Sequence, residues 1–503
     1  MNGFQSSRRD FLKLTIGTTL GYPFVLNAQG RSRGDTGGPN LLIIQTDEHN
    51  FRTLGCYRRT LTPDQAFVWG PEAVVETPNI DWLAEQGALC TRFYATTPVC
   101  SPSRSSFVSG RYPQNTPVVS NNIPMADDTA TFAEILGQRG YACGYAGKWH
   151  LDGSGKPQWE PKRRFGFADN RYMFNRGHWK QLEDTPEGPR VAARDKNDKP
   201  TYSIEGATEL NFTTDFLTDT TIDFIKSHED QSFCYMVSYP DPHGPNTVRA
   251  PYDVMFNHVE FETPRTADKP DAGLPSWGKK ARNTISDKAL AKYFGMVKCI
   301  DDNVGRLLDT LRQLNLLDNT IVVFTADHGD LCGEHSRDNK GVPYEASAKI
   351  PLVLYYPTRV PAETLVHEAL SSVDFLPTVL RLMEIPTAGA EEGRDASTLF
   401  MTGQAPSDWQ DVAFFRGTGS SDKNWLAAVT RRYKVVYSPK DNPWLFDLED
   451  DPDELTNYYQ DPSYRDTVRH LAQSLLDYGQ RCRDARVEEP SIQAALIAAA
   501  TLR

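Results

Sequence analysis

Four short apolar runs in the chain are each followed by polar residues, and a longer amphipathic pattern lies between the third run and the fourth. The apolar runs cover residues 41–44, 141–145, 233–239 and 321–325. Continuous hydrophobicity of this length is typical of strands that are buried on both faces of a parallel sheet. The amphipathic pattern predicts a helix over 287–313, and a second helical pattern lies at 129–139. Strands and helices that alternate in this way predict an α/β fold.

A polar side chain with catalytic or ligating chemistry follows each of these predicted strands. In chain order they are Asp47, Lys148, His243 and Asp327. In an open α/β sheet, ligands bind at the edge formed by the carboxyl ends of the strands. Ordinary turn chemistry explains an aspartate after one strand, but it explains four such ends poorly. The pattern therefore predicts a single cleft at this edge.

The chain beyond residue 400 has a different pattern. Residues 412–416, 425–430 and 434–437 read as antiparallel strands, and apolar residues at helical spacing predict a helix over about 468–478. We therefore predict a catalytic domain over 39–404 and a smaller α+β subdomain over 405–503.

Composition and charge narrow the class of protein. The chain has 503 residues, of which 39% are hydrophobic, and 66 acidic residues outnumber 54 basic ones. Such a composition is globular, and the acidic balance argues against a nucleic-acid partner because no basic surplus is present to displace counterions. Eight cysteines in a chain of this length do not predict a disulfide scaffold.

The N-terminal segment 1–28 is interpreted as an export signal. Arg8 and Arg9, followed by Phe11, Leu12 and Lys13, resemble a bacterial twin-arginine signal. Glycine, threonine and proline interrupt the apolar run that follows, so we predict no membrane span. A periplasmic or secreted location is therefore expected. The alternative is a disordered basic tail that contains two arginines.

The segment 98–111 contains a candidate nucleophile. Pro102 suits the first turn of a helix, which places Cys100 at the helix N-terminus. Positive dipole and free N–H groups there favour thiolates and anionic ligands. Arg104, four residues on, shares the same helix face. Together these residues predict a reactive anion-binding centre, and a buried structural cysteine is the alternative.

The Cys-x-Pro-Ser-Arg core at 100–104, followed by Ser-Gly-Arg at 109–111, resembles the signature of type I sulfatases. These are the formylglycine-dependent members of the alkaline phosphatase superfamily. The resemblance continues in chain order through the segments 46–47, 147–150, 242–243, 327–329, 340–345 and 446–457. It implies an alkaline-phosphatase-like fold: a large mixed, mostly parallel sheet sandwiched by helices, and a smaller C-terminal subdomain with an antiparallel sheet.

The resemblance also implies a nucleophile and a metal. Cys100 would be oxidised to formylglycine by a maturase before export. The hydrate of that aldehyde has one hydroxyl to attack sulfur and a second to expel sulfate. One calcium ion would be bound by Asp47, Glu48, Cys100, Asp327 and His328. Glu48 stands where many family members have a second aspartate.

The remaining catalytic positions follow from the same resemblance. Arg104, Lys148 and Lys340 would hold the sulfate oxygens. His243 would protonate the departing alcohol, and His150 would be the base that releases sulfate. The alternatives, taken singly, are solvated surface lysines and hydrogen-bonded structural histidines.

Residues 156–199 indicate a substrate class. They contain 11 Lys or Arg against 7 Asp or Glu, interleaved with aromatic residues. This mixture suits a sulfated saccharide or small molecule, and it suits an ordinary surface insertion equally well. Arg171 and His178 are candidate contacts. Rival functions are a phosphonate monoester or phosphodiester hydrolase of the same superfamily, and a catalytically silent glycan-binding protein.

Overall fold

The computed structural model describes residues 37–268, 273–281, 284–419 and 424–502. The predicted export signal at 1–28 therefore lies outside the described residues. None of the helices within these ranges is long and apolar enough to cross a bilayer.

The described strands form one large sheet, one four-stranded sheet and two short ribbons. They are β1 (Asn40–Asp47), β2 (Ala88–Cys90), β3 (Phe93–Tyr94), β4 (Ala142–Lys148), β5 (Met173–Phe174), β6 (Leu182–Thr185), β7 (Gly188–Val191), β8 (Phe233–Pro242), β9 (Thr320–Ala326), β10 (Leu352–Tyr355), β11 (Thr364–Val366), β12 (Leu370–Ser371), β13 (Ala413–Arg416), β14 (Leu426–Val429), β15 (Tyr433–Tyr437) and β16 (Trp444–Asp447).

The described α-helices lie between these strands and at the C-terminus. They are α1 (Gly55–Arg58), α2 (Pro63–Ala66), α3 (Pro78–Glu85), α4 (Cys100–Ser109), α5 (Phe132–Gly137), α6 (Thr213–Ser227), α7 (Asp287–Gln313), α8 (Glu345–Ala348), α9 (Phe375–Leu382), α10 (Ser397–Thr402), α11 (Arg465–Cys482) and α12 (Pro490–Ala500).

The large sheet has eight strands in the order β11-β2-β10-β9-β1-β8-β4-β5. β1 pairs in parallel with β8 and β9, and β4 pairs in parallel with β8 and β5. Only β10, among the described strands of this sheet, runs antiparallel to its neighbours β9 and β2. The predicted α/β fold with a mixed, mostly parallel sheet is confirmed.

The central strand β1 explains why the sheet is covered on both faces. Leu42 and Ile44 point into a core shared with α6 and α7, whereas Leu41 and Ile43 point into a core shared with α4, α5 and α9. All four side chains are fully buried. Because successive side chains of a strand point to opposite faces, a continuous apolar run requires a helical layer on each side.

The two predicted helices of this domain both form. The helix predicted over 287–313 is α7, and the side chain of Ser286 accepts a hydrogen bond from the backbone N–H of Ala289 at its start. The helix predicted over 129–139 is shorter. Thr131 and Glu134 form a capping box, which begins α5 only at Phe132.

The C-terminal region contains the predicted antiparallel sheet, in the order β13-β14-β15-β16. One face packs against α11 and α12. The other face packs against aromatic residues of the larger part of the molecule, including Tyr94 and Tyr344. The sheet therefore supports the segment that leads from Lys340 into α8. The proposed boundary at residue 405 stays a prediction.

Candidate active site

The carboxyl ends of four neighbouring strands bring the predicted polar residues together. The ammonium group of Lys148, at the end of β4, contacts Asp47 at the end of β1. The backbone N–H of Glu48 donates to Asp327, which follows β9, at 3.1 Å. Nε2 of His243, which follows β8, lies 2.8 Å from Oε2 of Glu48. The predicted convergence of these four residues at one edge of the sheet is therefore present, and an open cleft there stays a prediction.

A glycine allows β4 to approach β8 closely at this point. Gly147 has a φ of 102°, and a Cβ atom there would collide with the carbonyl oxygen of Ser238. A residue with a side chain would therefore push apart the two strands that carry Lys148 and His243.

Cys100 is the first residue of α4, and it lies against the predicted metal residues. Its Sγ is 3.2 Å from Nε2 of His328 and 3.9 Å from Oδ1 of Asp47. Burial alone would raise the pKa of the Cys100 thiol, but Lys148, Lys340 and His328 hold that pKa well below its ordinary value. The environment therefore favours an anionic group at this position.

All three guanidinium nitrogens of Arg104 have hydrogen-bond acceptors in the protein. Its Nε donates to Asp327 at 2.8 Å and its Nη2 to Asp47 at 3.0 Å. Its Nη1 lies within hydrogen-bond distance of Gln45, of the carbonyl of Lys148 and of the Ser238 hydroxyl. The guanidinium holds the two aspartates in place, and its predicted contact with sulfate stays a prediction.

Lys148 and Lys340 are each held by one carboxylate and one imidazole. Lys148 contacts Asp47 and lies 2.8 Å from Nε2 of His178. Lys340 lies 2.9 Å from Glu48 and 2.7 Å from Nε2 of His243. The surface-lysine alternative is therefore wrong for Lys148, which is fully buried.

The two imidazoles stack face to face between the lysines. The ring centroids of His178 and His243 are 3.5 Å apart, and the planes differ by 10°. Nδ1 of His243 faces the carbonyl of Gly244 at 2.8 Å, so Nδ1 carries a proton, and Nε2 faces both Lys340 and Glu48. Burial, together with Lys148 and His243, holds the pKa of His178 well below its ordinary value.

His150 is buried with neither ring nitrogen hydrogen-bonded to any residue that the structure describes. Its backbone has a φ of 62°, which is unusual for a residue with a side chain. Burial lowers the pKa of His150 to about 4. The imidazole is therefore unprotonated at neutral pH, as a general base must be.

Four of the five predicted metal ligands converge. One donor atom each from Asp47, Cys100, Asp327 and His328 lies within 4.8 Å of the others. Nδ1 of His328 faces the carbonyl of Gly329 at 3.0 Å, so Nε2 is the nitrogen directed at the other three residues. Burial would lower the pKa of His328, but Asp327 and Cys100 raise it to about 9, so a cation bound at Nε2 would displace a proton. Two carboxylates, an imidazole and the side chain at 100 form a donor set that fits a divalent metal.

Glu48, the fifth predicted ligand, lies outside this group of four. Its Oε2 is taken by Lys340 and His243. Its Oε1 is buried and has no hydrogen-bond partner among the described residues. Its role as a ligand stays a prediction, and its present contacts are with the lysine and the imidazole.

Four of the eleven basic residues in the segment 156–199 are paired with nearby carboxylates at the surface. Arg171 binds Asp184 at 2.8 Å, and both side chains are exposed. The other surface pairs of this kind are Arg163–Glu134, Arg190–Glu183 and Arg194–Asp198. Of the two candidate contacts, His178 is the one that contacts Lys148. A buried pair, Lys180 with Asp241 at 2.6 Å, has no signal in the sequence beyond its position beside Pro242 and His243.

Fold and site together define a hydrolase of the alkaline phosphatase superfamily. The sulfatase family model matches residues 39–385, and a model of the C-terminal part of N-sulphoglucosamine sulphohydrolase matches 333–481. The chain belongs to the sulfatase family and is a sulfuric ester hydrolase.

Similar proteins extend over nearly the whole chain. An N-acetylglucosamine-6-O-sulfatase from Bacteroides thetaiotaomicron is 24% identical, covering 90% of this chain and 88% of the relative. A choline-sulfatase from Rhizobium meliloti is 27% identical, covering 85% and 83%. The crystal structure of a putative sulfatase from Bacteroides fragilis has a TM-score of 0.73 and 25% identity, covering 92% of this chain and 99% of that one.

Proposed function

We propose that this protein is an exported sulfatase that removes sulfate from a carbohydrate. The observation that carries the proposal is the pair of lysines beside Cys100, each with two partners from the protein. An ammonium group has three N–H donors, so each lysine keeps one for a sulfate oxygen. The N-acetylglucosamine-6-O-sulfatase among the relatives supports a saccharide, and the choline-sulfatase supports a small alcohol as the alternative.

In the proposed mechanism a maturase converts Cys100 to formylglycine, and Sγ of Cys100 stands where the oxygen of that group would lie. One hydroxyl of the hydrate gives its proton to the neighbouring carboxylate of Asp327 and attacks the ester sulfur, and the bond from sulfur to the alcohol oxygen breaks. His243 enters this step protonated on both ring nitrogens, and the alcohol oxygen takes the proton of its Nε2. Glu48, 2.8 Å from that nitrogen, is the carboxylate that the N–H faces before substrate binds.

The second hydroxyl of the formylglycine hydrate then expels sulfate. His150, whose pKa of about 4 leaves it unprotonated, takes the proton of that hydroxyl. The aldehyde forms again as the bond between its carbon and the sulfate oxygen breaks, and water restores the hydrate. Asp47, Asp327, His328 and the modified side chain at 100 would hold a calcium ion, which when bound polarises a sulfate oxygen.

The nucleophile is tested by mass spectrometry of the peptide that contains Cys100, prepared from active enzyme co-produced with a maturase. We expect the mass difference between a thiol and an aldehyde. A fully active sample whose Cys100 is an unmodified thiol would disprove the mechanism. Metal content of the same sample, compared with Asp327→Asn, tests the calcium site, because the variant removes one charged ligand.

The reaction and substrate are tested by sulfate release from a panel of defined sulfated saccharides, an aryl sulfate and a small alkyl-ammonium sulfate. Kinetics on phosphate diesters and phosphonate monoesters run in parallel. We expect the highest kcat/KM on a saccharide. A large preference for diesters would favour the rival hydrolase, and absence of turnover in matured protein would favour a silent glycan-binding protein.

Export is tested with Arg8→Lys and Arg9→Lys together in the full chain. A twin-arginine signal requires the arginine pair, so we expect the protein to accumulate in the cytoplasm while wild type is found outside it. An unchanged distribution would contradict the proposed route.

A further inference from the structure

The site contains two similar groups, each made of a carboxylate, a lysine and a histidine, and the sequence suggests one of the histidines, His178, only as a substrate contact. On one side Glu48, Lys340 and His243 are in mutual contact. On the other side Asp47 and His178 contact Lys148 in the same way. The two sides meet where His178 stacks on His243. His178 is the member that neither the sequence motifs nor the family match assigns to the site.

The chemistry of Lys148 fixes the tautomer of His178. An ammonium group only donates, so Nε2 of His178, 2.8 Å from Nζ, accepts the hydrogen bond. The proton of the neutral imidazole is therefore on Nδ1. With one N–H directed at Asp47 and a second at His178, the direction of the third N–H of Lys148 is set. One acceptor alone would leave the ammonium group free to rotate about that bond.

The segment that carries His178 is itself anchored to the strand that carries His243. Nζ of Lys180 lies 2.6 Å from Asp241 at the end of β8 and 3.5 Å from the carbonyl of His243. The neighbouring Trp179 is buried against Tyr202, with ring centroids 4.8 Å apart. These contacts fix the position of the His178 ring independently of substrate.

We propose that His178 is a positioning residue for the reaction: its Nε2 orients Lys148 toward the sulfate, and its ring holds the plane of His243. The inference rests on the proposed function for the identity of the bound anion. It predicts that the acceptor nitrogen contributes to sulfate binding and the aromatic ring to kcat. Two substitutions can separate these effects.

The experiment compares His178→Phe, which keeps a stacking ring and removes the acceptor, with His178→Asn, which keeps a polar acceptor and removes the ring. His178→Ala removes both. His258→Phe, at an exposed histidine, is the matched control. For each full-length protein, kcat and KM on an aryl sulfate, the inhibition constant of inorganic sulfate and the Tm are measured.

We expect His178→Phe to weaken inhibition by inorganic sulfate and to lower kcat/KM, each by about 10- to 100-fold, with the Tm unchanged. His178→Asn should bind inorganic sulfate more nearly as wild type does, while its kcat stays low because His243 has lost its stacking partner. His178→Ala should show both losses. His258→Phe should match wild type.

The inference is overturned if inorganic sulfate inhibits His178→Phe as strongly as it inhibits wild type. It is also overturned if His178→Asn binds inorganic sulfate no better than His178→Ala does. Should a variant be unstable, direct titration of inorganic sulfate below its Tm still compares it with wild type. If wild type hydrolyses no sulfate ester but His178→Phe still weakens sulfate binding, the proposed function fails and the positioning role stands.

Discussion

Two buried clusters of charge lie five residues apart along one segment of the chain, and only one of them is equipped for chemistry. The first, which we call the catalytic cluster after its proposed role, surrounds Cys100 and includes Lys340. The second, which we call the anchoring cluster, surrounds Glu345. Its members are Arg92, Glu345, Lys349, Lys434 and Glu454. Both clusters pair carboxylates with cations away from solvent.

The anchoring cluster joins the large sheet to the C-terminal one. Lys434 on β15 lies 2.9 Å from Glu345 and 2.5 Å from Glu454. Lys349 lies 3.2 Å from Glu345, and its ammonium group sits over the Phe51 ring at 3.9 Å. Here each cation faces carboxylates or an aromatic ring of the protein.

The catalytic cluster contains polar atoms whose hydrogen-bonding capacity is not used by the described residues. Both ring nitrogens of His150 and Oε1 of Glu48 are buried without a hydrogen-bond partner among the described residues. Such groups are costly unless a ligand satisfies them. Buried charge alone therefore does not identify an active site. Unpartnered buried polar atoms also occur elsewhere among the described residues, so what distinguishes this cluster is that they accompany Cys100 and the group of possible metal ligands.

The largest effect is expected from the nucleophile. Cys100→Ala should lower kcat by on the order of 10⁴-fold or more, because the side chain that becomes the nucleophile is gone. Cys482→Ala, at another buried cysteine far along the chain, should keep kcat near wild type. Steady-state kinetics on an aryl sulfate measure both. Substantial turnover by Cys100→Ala would mean that the wrong cluster has been taken as catalytic.

Breaking the anchoring cluster should lower stability and leave catalysis intact. Lys434→Met removes the cation between Glu345 and Glu454 and leaves two carboxylates buried together. We expect a loss of about 3–5 kcal/mol in the free energy of unfolding. Denaturant unfolding measures it, with Lys226→Met at an exposed lysine as the control.

The kcat/KM of Lys434→Met tests whether the two clusters act independently. If they are independent, kcat/KM of the folded variant stays within about threefold of wild type, as expected for distant sites that share no partner. A tenfold or larger loss would show that the anchoring cluster positions Lys340 through the intervening segment.

A smaller effect, on the pH dependence of stability, is expected from Glu454. Burial and the neighbouring Glu345 raise the pKa of Glu454 from 4.5 to about 7, with Lys434 opposing the rise. The folded state therefore holds a proton that the unfolded chain has lost, so this carboxyl lowers stability as the pH rises from about 4.5 to about 7. In Glu454→Gln that dependence disappears.

The comparison is made by urea unfolding at several pH values. Between pH 4.5 and 8, Glu454→Gln should gain on the order of 2 kcal/mol relative to wild type. Glu72→Gln, at an exposed position, should follow wild type at every pH. If the free energy of unfolding changes with pH in the same way for wild type and Glu454→Gln, Glu454 is ionised in the folded protein throughout this range.

The fold and the strand-end residues could be predicted from the sequence because apolar runs and the residues after them are local signals. β16 and α12 were not predicted. The strand has only four residues, and the alanine-rich helix has little difference between its faces. His178 lies in an irregular segment, so its stacking on His243 depends on tertiary packing. The separation of Glu48 from the other four predicted ligands depends likewise on where Lys340 and His243 come to lie.

The smallest effect is expected outside both clusters, at Arg171. Its ion pair with Asp184 has side chains that are 45% and 40% exposed, so solvent screens the attraction. Arg171→Ala should change the free energy of unfolding by less than about 1 kcal/mol. It should also leave kcat/KM on an aryl sulfate within about threefold of wild type, because the partner of the guanidinium is Asp184 and not a residue of the cluster around Cys100.

The kcat/KM of Arg171→Ala on sulfated saccharides tests whether Arg171 contacts a long substrate. A long substrate could reach past the site to the surface of the segment 156–199, where Arg171 would be free to exchange Asp184 for a second anionic group. A tenfold loss of kcat/KM on a saccharide, with none on an aryl sulfate, would add Arg171 to the substrate-binding surface. Equal kinetics on both would mean that its charge serves only its local pair, and that recognition is confined to the site that His178 and His243 line.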